Sequence, residues 1–193
     1  MDVTRQSLLL RARDGDQAAW KDLTDLYRPL ILGWLRRQSV PPSDIDDLAQ
    51  DILLALVKYL PSFVHSGQRG AFRAWLRTIA CNRTSDYWRA RVRQGPAAAG
   101  GDAAEALGRL EDPGGDLARQ WDREHDGYVL RCLLDLVGQE FEPATVRAFR
   151  RLALDGASGA EVAEELRLSV GAVYVAKSRV LQRIRQEAEG LID

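Results

Sequence analysis

Two cysteines, two histidines and one methionine among 193 residues leave little material for metal or redox chemistry. His65 and His125 lie far apart, and no Cys/His spacing in the chain would close a zinc site. No Gly-rich phosphate loop of the Walker type is present. Nothing groups an acid, a base and a nucleophile, so the chain is not expected to be an enzyme and implies no cofactor. No apolar run approaches the roughly 20 residues that a membrane-spanning helix needs. The first 17 residues mix charges with only the short Leu8-Leu9-Leu10 run, unlike a signal peptide. Cys81 and Cys132 are isolated within apolar-periodic stretches, which predicts buried free thiols, with a disulfide as the alternative. These absences predict a cytoplasmic protein with no membrane insertion.

What is present is charge, unevenly placed. An apolar content of 46% with 28% charged residues fits a globular protein. The formal net charge is −1, yet residues 1–94 hold 15 Lys and Arg against 10 Asp and Glu, and residues 95–193 hold 12 against 18. Within 69–93 stand seven arginines and a single acid, Asp86. A solvated helix face would mix in glutamates; this density suits a polyanion.

Helical periodicity runs through the chain, no strand-like alternation stands out, and an all-α fold is predicted. Between Gln94 and Gly115 the composition shifts to Gly, Pro and Ala, which reads as a flexible linker over 95–116. It divides the chain into a helical domain at 1–94 and a second at 117–193. In the first, Asp16 to Gln38 forms one or two helices. Ser43 is the expected N-cap of a helix carrying the apolar stripe Ile45, Leu48, Ala49, Ile52, Leu53, Leu56 and Val57 toward the core. Pro61 closes it, and a helix from about Ala71 to Arg93 follows. The opposite face of the Asp44–Leu60 helix carries Asp47, Gln50, Asp51, Leu54 and Lys58; a leucine among acids and an amide marks a partner-binding surface, or else a solvated face with one stray leucine.

In the second domain, Leu117, Trp121, Tyr128, Cys132, Leu133 and Leu136 mark one helix, and Pro143 opens the next. Residues 158–186 then read SGAEVAEELRLSVGAVYVAKSRVLQRIRQ. Ser158 and Glu161 form a capping box, and Ser169 caps a second, basic helix after a brief turn. Ala163 and Ala172 are small enough for a steep crossing. This is a helix-turn-helix, whose second helix enters the DNA major groove by its N-terminal end; a plain helical hairpin is the alternative. Outward there stand Ser169, Gly171, Ala172, Tyr174, Val175 and Ser178, with Lys177, Arg179, Arg183 and Arg185 placed for phosphates.

Three stretches carry a family resemblance. DIDDLAQDILLALVKYL (Asp44–Leu60) resembles the second conserved region of sigma factors. RGAFRAWLRTIACNRTSDYWRAR (Arg69–Arg91) resembles the segment that follows it, with its F-x-x-W-L-x-x-I-A-x-N signature. The helix-turn-helix resembles the fourth region, and the third region of larger sigma factors has no counterpart. The whole is similar to the small extracytoplasmic-function (ECF) group of the sigma-70 family. The resemblance implies a region 2-like helical bundle and a region 4-like helix-turn-helix. It implies core RNA polymerase and promoter DNA as partners, with an anti-sigma factor as a further one.

Carried onto this chain, the resemblance assigns Asp47, Gln50, Asp51, Leu54 and Lys58 to the polymerase clamp helices. The minus-10 element, opened and held with a flipped base, falls to the loop from Phe63 to Gly70 and the arginine helix. The residues concerned are Phe63, His65, Gln68, Arg73, Arg77, Asn82, Arg83, Trp88 and Arg89; cations track phosphates while amides and π-faces meet unstacked bases. Trp75 fits either the core or a base platform. The minus-35 element falls to the outward residues of the second helix of the motif. There the chain departs from the family, which opens this helix with G-T-V-K-S-R where Gly171 to Ala176 reads GAVYVA. Base readout should therefore lean on apolar contacts or on Tyr174. Two other functions remain open to the residues alone, a stand-alone helix-turn-helix regulator and a protein-interaction bundle.

Overall fold

The structure, a computed structural model, describes residues 7–64, 66, 68, 70–95, 103–110 and 115–192. His65, Arg69 and residues 96–102 and 111–114 of the expected linker lie outside the described residues, as does the side chain of Leu117. The described residues are helical, with no strand among them. In chain order the helices are α1 (Leu8–Arg13), α2 (Gln17–Arg37), α3 (Pro42–Tyr59), α4 (Ala71–Gln94), α5 (Ala103–Leu110), α6 (Asp116–Gly138), α7 (Pro143–Ala153), α8 (Gly159–Leu166) and α9 (Val170–Ala188). None is long and apolar enough to cross a membrane.

Two compact units result: Leu8–Val129 with the residues after Glu189, and Leu130–Glu189 with Ser7. The division falls within α6, not in the expected linker. The described part of that linker is itself a helix, α5, which buries Ala103, Ala106 and Leu110 and packs on α4. An Ala-rich stretch with apolar residues at i, i+3 and i+7 needs only a neighbouring surface to become helical.

In the larger unit, α2 starts at Asp16, whose carboxylate accepts from the Ala18 and Ala19 amides at 2.9 and 3.3 Å. α3 begins one residue before the expected Ser43 cap. Its first residue is Pro42, whose fixed φ suits a first turn and whose missing N–H has no partner to lose there. Ser43 instead donates to Asp44 at 2.7 Å. The start of α3 is tied to the end of α4: the Tyr87 hydroxyl donates to Asp44 at 2.6 Å, and Arg91 donates to both. The bonds from Tyr87 and Ser43 hold the Asp44 carboxyl below its usual range. Burial, with Asp44 beside it, pushes the Tyr87 hydroxyl up to about 12. Ile45, Leu48, Ala49, Ile52 and Leu56 of α3 are buried, together with Phe72, Leu76 and Ala80 of α4, whereas Leu53 at the edge of the expected stripe is half-buried and Val57, near the end of the helix, is exposed. Cys81 and Cys132 are free and half-buried, less enclosed than expected. Burial pushes the Cys81 thiol up to about 11, so it stays protonated near neutrality.

The smaller unit has two apolar clusters. Leu134, Val137, Phe149, Val180 and Ile184 join α6, α7 and α9. Ala148, Val162, Ala163, Val173 and Ala176 join α7, α8 and α9. The small residue that meets Ala163 in this cluster is Ala176; Ala172, expected at the crossing, is exposed. One helical turn separates the two, and the core side of α9 passes through 173, 176, 180 and 184.

Candidate functional site

On α3 the face opposite the core is intact. Asp47, Gln50, Asp51, Leu54 and Lys58 are all exposed at spacings of three and four, and Leu54 is 57% exposed. Val57 and Tyr59 extend the apolar surface, with the Lys58 ammonium 5.3 Å from the Tyr59 ring centroid. Asp46, one position away, pairs with Arg28 at 2.7 Å. A leucine left in water beside the exposed Val57 and Tyr59, on a helix whose opposite face is packed, is a surface suited to a partner.

α4 is divided differently from its sequence reading. Arg73 reaches Asp126 at 2.6 Å and Asp122 at 3.2 Å, and Arg77 reaches Asp122 at 2.8 Å. Both arginines therefore face the start of α6 and not open solvent. Gly70 makes room for this: its φ of +73° is left-handed, and a Cβ there would lie 2.6 Å from the Arg73 guanidinium. Around them the Arg37–Glu124 pair closes at 2.7 Å, and Trp34 meets Trp121 edge-on with centroids 5.7 Å apart. At the centre His125 is fully buried; its Nδ1 stands 2.9 Å from Asp126 and its Nε2 3.1 Å from the Tyr27 hydroxyl. A carboxylate only accepts, so Nδ1 carries the proton and Nε2 accepts from Tyr27. Burial lowers the His125 pKa, against the pull of Asp126. Burial also opposes ionisation of Asp126, yet the bonds from Arg73 and His125 hold its carboxyl below the usual range.

Four expected minus-10 residues are thus otherwise engaged. Arg73 and Arg77 are ion-paired, Trp88 is buried, and Phe63 is buried against Phe72 and Trp75 with centroids 5.6 and 4.8 Å away. For the two arginines, half-buried acids 45 to 53 residues downstream decide this, and no local pattern in α4 reveals them. The acids at 122 and 126, one turn apart beside Trp121 and His125, were the available signal. The exposed side of α4 lies opposite: Asn82 and Arg89 are exposed, seven residues apart, with Arg89 paired to Asp86 at 3.5 Å on the surface and the half-buried Trp75 seven residues before Asn82. Arg93 continues the stripe, Arg83 is half-buried beside it, and Gln68 is exposed in the preceding loop. Arg93 is a surface cation that the reading of the loop and helix left out.

The helix-turn-helix forms as its caps require. The Ser158 hydroxyl accepts from the Glu161 amide at 3.2 Å, and Glu161 accepts from the Ser158 amide at 2.8 Å. Arg167 takes a left-handed φ of 55° to end α8, and Ser169 accepts from the Ala172 amide at 3.1 Å to begin α9. Ser169, Gly171, Ala172, Tyr174, Val175, Ser178 and Arg179 are exposed, and Lys177 is half-buried. Arg183 is not free for a phosphate: it lies against Glu140 at 2.8 and 3.0 Å and also pairs with Glu187. The Arg179 guanidinium sits 5.7 Å from the Phe141 centroid.

Comparison with known proteins gives the family. Residues 23–94 match the family Sigma-70 region 2. Over 188 residues the chain is 30% identical to the ECF RNA polymerase sigma factor ShbA of Streptomyces griseus, covering 95% of this chain and 94% of that one. Over 191 residues it is 28% identical to the ECF RNA polymerase sigma factor SigD of Mycobacterium tuberculosis, covering 94% and 82%. A solved structure of CnrH in complex with the cytosolic domain of CnrY shares 25% identity over 94% of this chain and 95% of that one, at a TM-score of 0.37.

Proposed function

The chain belongs to the ECF sigma factors of the sigma-70 family, which direct RNA polymerase in transcription initiation, and from that membership we propose how its surfaces divide the work. The exposed face of α3 docks on core RNA polymerase through Asp47, Gln50, Asp51, Leu54 and Lys58. The observation that carries this is Leu54, exposed among two acids and an amide on a helix otherwise packed on its apolar side. Such a leucine is the kind of anchor around which a few polar contacts set specificity.

The open stripe of α4, with Gln68, Asn82, Arg83, Arg89 and Arg93, holds the single strand of the minus-10 element. Arg73 and Arg77 act as positioning residues that keep the helix seated, not as DNA contacts. The start of α9 enters the major groove at minus-35 with Ser169, Gly171, Ala172, Tyr174, Val175, Lys177, Ser178 and Arg179. The larger compact unit does the first two tasks and the smaller one the third. The chain itself supplies no chemistry and works in the cytoplasm, where the polymerase is. An anti-sigma factor that covers the α3 face or the α9 face is the regulator that the family pattern supports.

Size-exclusion chromatography with bacterial core RNA polymerase tests the docking surface. Wild type co-elutes, and Asp51→Arg, at an exposed position, elutes apart while retaining its circular dichroism. Co-elution of the variant removes the α3 face from the interface. Separate elution of a folded wild type instead favours a regulator that binds DNA alone.

A further inference from the structure

A helix in the major groove reads guanine with Arg or Lys and adenine with Asn or Gln, whereas thymine is the base marked by an apolar group, its 5-methyl. The outward positions over the first turns of α9 hold none of those four residue types. They are Val170, Gly171, Ala172, Tyr174, Val175 and Ser178, with Tyr174 53% and Val175 57% exposed. The nearest cations stand aside: Lys177 is half-buried, Arg179 lies over Phe141, and Arg183 is held by Glu140. An isopropyl group set against the acceptors of guanine or the amine of cytosine strips water from them and returns no bond. Against a thymine methyl the same group buries apolar surface and leaves nothing unpaired.

A second contact sets the frame. The Tyr174 ring lies against Gly159, the first residue of α8; a Cβ at that position would stand 2.8 Å from Cε2 and 2.9 Å from the hydroxyl oxygen. A side chain larger than hydrogen would displace the ring from this position. Tyr174 therefore lies back over the first turn of α8. Val175 is left as the central outward apolar group.

We infer that α9 reads the minus-35 duplex through thymine 5-methyl groups packed on Val175, with Tyr174, seated on Gly159, setting the register. The inference rests on α9 being the helix that enters that duplex.

The test selects promoter duplexes, randomised over the minus-35 element, on the full-length protein bound to core polymerase. The selected sequence is then remade with deoxyuridine in place of thymine. Thymine is expected at one or two positions, with about a four-fold loss of affinity for the missing methyl under Val175, the worth of one buried carbon. In Val175→Ala, a change at an exposed position, thymine and deoxyuridine duplexes should bind alike, since that coupling identifies the contact. Gly159→Ala should weaken both duplexes together, with circular dichroism confirming that the motif still folds. A selected guanine whose preference disappears in Arg179→Ala overturns methyl readout while leaving α9 in the groove. So does a deoxyuridine penalty that Val175→Ala leaves untouched. Binding with no minus-35 preference, unaffected by Ser178→Glu, removes α9 from the duplex and takes the underlying assignment with it.

Discussion

Tyr27 and His125, 98 positions apart, meet in the core of the larger unit, where the tyrosine hydroxyl donates to the imidazole Nε2 at 3.1 Å. The other ring nitrogen donates to Asp126, which also takes Arg73, so one buried histidine couples α2, α4 and the first half of α6. Its environment favours the neutral ring, because burial costs the charged form more than Asp126 recovers.

Acidification should therefore loosen this unit. With the folded pKa below the unfolded value of 6.5, the unfolded chain binds the extra proton first. Stability is fully present above about pH 6.5 and falls as pH drops toward the folded pKa, by at most about 1.4 kcal/mol per pH unit. Urea midpoints at pH 7.5 and 5.5 measure the slope. His125→Phe should flatten it, and an unchanged slope would assign it to the carboxylates.

The Arg73–Asp126 pair is expected to matter for stability and not for DNA. Asp126→Asn leaves the arginine with Asp122 alone and should cost about 1 kcal/mol, since water screens the exposed side of Asp126. Denaturant unfolding measures this cost. Affinity of the holoenzyme for a single-stranded minus-10 oligonucleotide should stay within two-fold, whereas Arg89→Ala should lower it about ten-fold, in the range of a lost charge-assisted contact. A loss for Arg73→Ala equal to that for Arg89→Ala would return Arg73 to the DNA face.

Leu54→Ala should weaken binding to core polymerase by about 1–2 kcal/mol, the scale of a moderate interface anchor. The melting temperature should not fall, because the side chain is already in water. A titration of labelled protein with core enzyme, beside a thermal melt, separates the two.

Ser158→Ala and Ser169→Ala each remove an observed cap and should each cost about 1 kcal/mol of stability in the smaller unit. Hydrogen exchange read at the first-turn amides of α8 and α9 would localise the loss. Protection unchanged at Glu161 and Ala172 would show that the hydroxyls contribute little.

Local chemistry was legible from the residues alone. The helices, both serine caps, the Pro143 start and the buried stripe of α3 follow from periodicity, short-range hydrogen bonding and the fixed φ of proline. The departure at 171–176 was visible in the letters, and so was the exposed Leu54. These features depend on residues within a turn or two of each other, and the chain specifies them wherever a core exists to receive them. Tertiary structure alone decided which face of α4 stays open. The fold pairs Arg73 and Arg77 with Asp122 and Asp126 and covers Trp88 with packed helices, none of which the residue order shows. It also turned part of a Gly- and Ala-rich linker into α5 and took Arg183 out of reach with Glu140. A charged side chain pairs with whichever partner the fold brings within about 4 Å, and that distance carries no mark in the order of residues.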